Sequence, residues 1–159
     1  ECSDDNYSVE VVHNLRARMH SIYKDRIVDL AEPSSNPKHH RGCCTWMGLL
    51  KRNDDGPWRR FDVKSYPWKC YPYALLHMTG SDHFNRSMRK YAWIRDLSLS
   101  DHGLNHVMRQ RIDGKSTKTV TGTVDFPVKE EKDIFELLHI DYVAPEERHS
   151  GYSAGMLNT

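Results

Sequence analysis

Arg59-Arg60-Phe61-Asp62-Val63-Lys64, an apolar run closing on Ala74-Leu75-Leu76, and Thr79-Gly80-Ser81-Asp82-His83-Phe84-Asn85-Arg86-Ser87-Met88-Arg89 follow one another mid-chain. The first piece alternates. That predicts a strand with Phe61, Val63 and Ser65 on one face and Arg60, Asp62 and Lys64 on the other. The last piece predicts a helix running to about Trp93. Ser81 or Asp82 can cap it, and Phe84 and Met88 form its buried stripe. Asn85 and Arg89 are four apart and share a helical face with Asp82. Between these pieces, Tyr71 to Met78 reads as a helix or an extended apolar segment packed in the core.

Upstream, Val11, Val12, Leu15, Met19 and Ile22 recur at helical spacing, which predicts a helix from a Ser8 cap to Met19 or Ile22. Glu32 to Arg41 is rich in Pro, Ser and Asn and reads as a loop. Cys44 to Leu50 reads as a strand. Asn53-Asp54-Asp55-Gly56-Pro57 is a turn, so residues 44–66 form an antiparallel hairpin. Downstream, Leu97 to Leu104 is a short segment with polar punctuation. A second hairpin follows: His106 to Ile112, the turn Asp113-Gly114-Lys115-Ser116, then Thr117 to Val124. Asp133 starts a helix through Leu138. Pro145 opens a short element ending near Arg148, and residues 151–159 read as a flexible tail. The fold class is α+β, without internal repeats.

The chain has 159 residues, 38% of them hydrophobic, and a mean hydropathy of −0.76. That is one ordinary domain or two small ones with a very polar surface. No apolar run approaches the roughly 20 residues of a membrane span. Glu1 is not a start methionine, so the chain reads as a processed product or part of a longer polypeptide. Its 23 basic and 22 acidic residues leave a net charge of +1. That total does not announce a nucleic-acid binder. The charges are uneven, however. Lys38, Arg41, Lys51, Arg52, Arg59, Arg60, Lys64 and Lys69 cluster, and residues 129–147 are mostly acidic. Cys2, Cys43, Cys44 and Cys70 do not form a disulfide framework, which points to a reducing, intracellular setting. His39, His40, Cys43 and Cys44, with Cys70, are zinc-type ligands. Adjacent ligands rarely converge on one ion, so they are not read as a site. No cysteine has a sequence partner that makes a nucleophile persuasive.

Two readings of Asp62 stay open on residues alone. It is a solvated carboxylate paired with Arg60, or a general base and metal ligand. Phosphoryl chemistry with two magnesium ions needs several carboxylates, and one aspartate cannot build that site. Glu10, Asp25, Asp29 and Asp54-Asp55 show no Asp-x-Asp spacing on a strand, and adjacent Asp4 and Asp5 would diverge. Thr79-Gly80-Ser81-Asp82 is likewise either a helix cap with a solvated face or a ligand-facing helix start.

These motifs resemble the palm–thumb junction of the family-X DNA polymerases, the repair enzymes of beta and lambda type. The resemblance covers about residues 9–150 and is strongest from 59 onward. It runs through Val11-Val12-His13-Asn14-Leu15, Trp46-Met47-Gly48-Leu49 and Leu99-Ser100-Asp101-His102-Gly103-Leu104. It continues through Val128 to Phe135 and Asp141 to Arg148. It implies a partial palm over 1–76 (a helix plus an antiparallel hairpin) and a thumb over 77–150 of helices with a small β-hairpin. It implies that Asp62 is the third catalytic aspartate, activating the primer 3′-hydroxyl and binding metal, with Arg60 set against it. Gly80 would admit the nucleotide sugar and Asp82 would lie beside the incoming base. Asn85 would reach that base's minor-groove edge and Arg89 the template strand, contacts that sense pair geometry more than sequence. The family's Gly-Asp-x-Asp strand, phosphate-binding segment and lyase domain would lie upstream of Glu1. The chain departs from the family at His77 and Met78. There the family has two aromatics, or a Gly-Trp pair, that hold the sugar and help exclude ribonucleotides. Trp58, Trp68 and Trp93 are also unusual, as platforms for bases or as a protein interface.

Two functions follow. One is the C-terminal palm and thumb of a gap-filling DNA polymerase. Its partners would be DNA and dNTP. Its Mg2+ pair would need two further aspartates, and its compartment would be the nucleus or the mitochondrion. The other is a catalytically inactive, polymerase-like subunit that contacts protein or RNA in a larger assembly.

Overall fold

The computed structural model describes residues 4–34, 43–112, 115–124 and 126–149. The chain divides into two compact units, Glu1–Pro67 and Trp68–Thr159. Each has its own three-stranded antiparallel sheet. The α+β class expected from sequence is the class observed.

The first unit opens with α1, Asp4–Tyr23. Ser8 therefore lies inside the helix and does not cap it. Three strands follow: β1 Ile27–Ser34, β2 Cys44–Leu50 and β3 Arg59–Ser65. The β2–β3 hairpin has the expected partners, with Met47 opposite Asp62 and Gly48 opposite Phe61. The strand β1 was not expected. Glu32, Pro33 and Ser34 read as loop, yet they extend a strand paired with β2 from Ile27↔Leu50 to Ser34↔Thr45. Pairing with β2 overrides the local composition. The strand lies at the edge of the order β1-β2-β3, where a proline is tolerated. Residues 35–42, which carry the rest of the expected loop together with His39 and His40, lie outside the described residues.

Trp46, Val12, Ile27 and Cys44 form this unit's core, with Val9, Met19, Tyr23, Leu50, Phe61 and Val63 packed on it. Along β3 the side chains alternate as the sequence predicts, Phe61, Val63 and Ser65 half-buried and Arg60, Asp62 and Lys64 exposed. The Phe61 ring lies over Gly48, where an added Cβ would meet Phe61 Cζ at 2.5 Å and the Val28 carbonyl oxygen at 2.8 Å. Only glycine leaves room for that ring. Phe61 in turn meets Trp46 edge to face at 4.9 Å.

The second unit comprises α2 Tyr71–Thr79, α3 Asp82–Ile94, β4 Leu97–Ser100, β5 Gly103–Ile112, β6 Lys115–Thr123, α4 Glu131–Leu137 and a 3-10 turn at Pro145–Glu147. The open choice at Tyr71 to Met78 resolves to helix. The hairpin of β5 and β6 lies where expected, but β5 starts at Gly103 rather than His106, and Lys115 and Ser116, expected in the turn, pair with Ile112 and Arg111; residues 113–114 lie outside the described residues. Leu97 to Leu104 proves to be a tight reversal, with β4 pairing from Leu97↔His106 to Ser100↔Gly103. The helix α4 starts at Glu131, ahead of Asp133. Asp133 is its third residue and closes a capping box with Glu130.

The core joins Tyr73 and Leu76 of α2, Phe84, Met88 and Ala92 of α3, Leu104, and Ile134, Phe135, Leu138 and Val143. One charged pair is buried with them. Arg148, 2% exposed, reaches Glu131 with both ends of its fork at 2.7 and 3.0 Å. It also donates to the Val143 carbonyl, and its guanidinium lies 5.2 to 5.7 Å from the ring centres of Phe84, Phe135 and Tyr142. Cys43, Cys44 and Cys70 are buried and stand outside any disulfide, and burial raises the pKa of Cys44 and Cys70. Among the described residues, no helix is long and apolar enough to cross a membrane. The expected tail, 151–159, lies outside the described residues.

Candidate nucleotide and nucleic-acid site

The expected site residues fall into the two units, and each part has its own geometry. In the first unit, Asp62 stands on the exposed face of β3. Arg60, two residues earlier on the same face, grips it with a fork: Nε to Oδ1 at 2.9 Å and Nη2 to Oδ2 at 3.2 Å. Nη2 also contacts Met47 Sδ at 3.3 Å. Hydrogen bonding to Asp62 raises the Arg60 pKa. Both residues are open to solvent, Asp62 at 43% and Arg60 at 62% of their side-chain surface. A carboxylate has about four lone-pair sites, so the arginine fork leaves acceptor capacity for a second cation or a hydroxyl.

Asp29 is the carboxylate the sequence did not single out. It accepts from Arg16 Nε at 2.8 Å and Trp46 Nε1 at 2.8 Å, and it meets His20 Nε2 at 3.0 Å. Against the burial that opposes its charge, bonds from Arg16, His20 and Trp46 hold its pKa down at about 2. It cannot join Asp62. Asp29 is opposite Gly48, and Gly48 is opposite Phe61, so these three share the face toward α1. Asp62 is one residue further along β3 and so points to the other face. The only sequence cue was the pair Arg16 and His20, one helical turn apart and needing an anion.

Among the described residues, no three His, Cys, Asp or Glu side chains could hold a metal ion together. Asp62 alone does not fit a two-ion magnesium site, which needs several oxygen ligands held by more than one carboxylate. His39 and His40 of the histidine–cysteine cluster are not among the residues described.

In the second unit, α2 ends at Gly80, whose φ of 73° is the left-handed region that glycine enters without strain. The Gly80–Ser81 peptide is cis. Ser81 caps α3, its Oγ accepting from Phe84 N at 3.3 Å, and its own N–H donates to the Arg148 carbonyl at 3.3 Å. The buried Arg148–Glu131 pair therefore underpins the start of the polar helix. Phe84 and Met88 are fully buried, as expected of the stripe.

The polar face is split. Asp82 accepts from His83 N at 2.8 Å and pairs with Arg86 one turn on, which lowers its pKa. Asn85 and Arg89 converge elsewhere, on His77. Asn85 Nδ2 donates to the His77 carbonyl at 2.7 Å, and Arg89 Nη2 meets His77 Nδ1 at 3.1 Å. The three line a narrow recess with Tyr73, Leu76, Leu99 and Ser100, holding only about 10 Å³ of water-accessible space. Sequence reasoning marked His77 as a departure from a pattern and missed that it tethers both polar residues. In the same unit, Trp68 is 79% exposed and stacks on Tyr71, ring centres 5.4 Å apart and 5° from parallel.

Residues 74–149 match the family described as DNA polymerase beta thumb. DNA polymerase lambda of Rattus norvegicus is 36% identical over 131 residues, covering 82% of this chain and 21% of that protein. DNA nucleotidylexotransferase of Xenopus laevis is 31% identical over 126 residues, 70% of this chain and 22% of that protein. DNA polymerase lambda of Arabidopsis thaliana is 31% identical over 108 residues, 68% of this chain and 19% of that protein. The chain thus spans about a fifth of the length of the relatives it matches.

Proposed function

We infer that the chain carries, over residues 74–149, a thumb region of the family-X DNA polymerases, homologous to that of DNA polymerase lambda. On that premise we propose that it is the C-terminal palm and thumb part of a DNA-directed polymerase of the gap-filling type. The first unit supplies the end of the palm and the second the thumb. The observation that carries this reading is the α3 start. A left-handed Gly80 precedes a capped helix that sets Asn85 and Arg89 side by side. A glycine there lets a nucleotide sugar approach the backbone, and the helix face offers a carboxamide and a guanidinium to a minor groove, whose pattern reports pair geometry.

In this reading Gly80, Asp82 and Asn85 bind the nucleotide, with Asp82 beside the base, and Arg89 binds the template strand. Asp62 takes the proton of the primer 3′-hydroxyl, and Arg60 holds Asp62 in place while leaving acceptor capacity on its oxygens. Such polymerases draw on two Mg2+ ions. Asp62 is the one ligand described here, so two further aspartates must come from an upstream segment. The nucleus or the mitochondrion would be the setting.

The test is primer extension on gapped DNA by the longest native polypeptide that contains this chain. Asp62→Ala should abolish extension and leave DNA binding in place. Undiminished extension would remove Asp62 from the chemistry. A second reading, an inactive subunit that contacts protein or RNA, is favoured by the exposed Trp68–Tyr71 stack, a platform suited to an aromatic or apolar partner. It predicts no extension by the native polypeptide and loss of assembly with Trp68→Ala.

A further inference from the structure

We propose that His77 is a positioning residue for the minor-groove face of α3, holding Arg89 as a neutral imidazole and releasing it on protonation. The inference rests on the reading of Arg89 as a DNA contact. An arginine side chain only donates hydrogen bonds. The 3.1 Å contact between Arg89 Nη2 and His77 Nδ1 therefore requires a lone pair on Nδ1, which fixes the imidazole in its Nε2–H form. Adding a proton at Nδ1 sets N–H against N–H and cation against cation, and the contact cannot survive. The Asn85 tether is different in kind, because it runs to the His77 backbone carbonyl and is indifferent to the proton. Protonation thus frees one member of the pair and leaves the other in place.

Among the residues that line the recess, the imidazole is the group whose charge changes near neutral pH. From α3 the charged group facing it is Arg89. From β4 the recess is lined by Leu99 and Ser100, which carry no charge. From its own helix comes Tyr73, whose hydroxyl is pushed by burial up to about 12 and stays neutral. An imidazole is the side chain that changes charge between pH 5 and 8 without help. The recess has no space to store a displaced guanidinium, since its water-accessible volume is about 10 Å³. Arg89 is exposed, so on release it swings outward, toward whatever duplex α3 faces.

The test uses the 159-residue chain and a gapped DNA duplex at one fixed salt concentration, from pH 5.5 to 8.5. Four forms are compared: the parent, His77→Phe, Arg89→Ala and the double variant. Circular dichroism confirms that each is folded. The expected result is that His77→Phe binds roughly five-fold tighter than the parent at pH 8, the scale of one net hydrogen bond of about 1 kcal/mol. The gap should close as the pH falls through the imidazole range. In the Arg89→Ala background the His77 substitution should change nothing. Equal affinities of parent and His77→Phe at pH 8, with Arg89→Ala weaker than both, would overturn the proposal and leave the reading of Arg89 intact. If Arg89→Ala binds as tightly as the parent at every pH, that reading fails. The proposal is then decided by the nitrogen-15 shifts of the His77 ring without DNA. They should show a bare Nδ1 at pH 8 and proton uptake at higher pH in Arg89→Ala than in the parent. A protonated Nδ1 at pH 8, or unchanged uptake, overturns it.

Discussion

His139 ends α4 at a φ of 54°, in the left-handed region where a Cβ crowds the following carbonyl. Its N–H donates to Glu136 O at 3.0 Å and its side chain is exposed, so glycine there keeps the backbone bond and removes the crowding. His139→Gly should stabilise the chain by about 0.5–1 kcal/mol, the left-handed cost less the extra unfolded-state freedom of glycine. A shift of the urea midpoint at constant slope would register it. Asp29 works in the opposite sense. Its folded pKa of about 2 lies below the ordinary value near 4, so the ionised form is favoured by folding. Its contribution, about 2 kcal/mol, is complete above that ordinary value and fades as the pH falls toward 2. Asp29→Asn should lower stability at pH 7 and flatten the decline between pH 5 and 2, measured by urea unfolding at each pH. A parallel decline in both forms would contradict it.

At the scale of elements, the parts legible in the sequence were those whose signal is local. Alternation along Arg59 to Ser65 set the faces of β3, and the Ser81 cap with Phe84 and Met88 set α3. The edge strand β1 was not legible, because its last residues, Glu32, Pro33 and Ser34, are turn formers held extended only by pairing with β2. The start of α4 was misplaced by two residues for a related reason. In the sequence Asp133 reads as the opener, whereas it acts backward on the N–H groups of Lys129 and Glu130, at 2.7 and 3.1 Å. Asp133→Ala removes those bonds and should cost about 1 kcal/mol. Asp133→Asn, which can still accept, should lose less, and thermal melts of the two variants give the comparison. In the candidate site, the side chains were legible by type and their tethers were not. Asn85 and Arg89 could be placed on one face by spacing. Their convergence on His77 depends on how α2 enters the turn at Gly80, which no spacing within α3 encodes.

At the scale of the molecule, a net charge of +1 leaves the proposed DNA binding to local clusters, so any affinity for DNA should fall only a few decades per decade of salt. The buried pair Glu131–Arg148 ties the end of the described chain to α4 and to the Ser81 cap. Arg148→Ala leaves Glu131 buried without its partner and should cost about 3–5 kcal/mol. Changing both, Glu131→Leu with Arg148→Met, should recover much of that loss, because the uncompensated charge is gone. A double variant no more stable than Arg148→Ala would show instead that the bonds to Val143 and the three surrounding rings matter most. The buried thiols carry a last consequence. Cys43 and Cys44 belong to one compact unit and Cys70 to the other, all closed to solvent, two of them with raised pKa. An alkylating reagent attacks only the thiolate, so none of the three reacts until its own unit opens. With Cys2 replaced by Ser, the order in which the remaining three gain mass in iodoacetamide becomes a clock for breathing, read separately in each half of the chain.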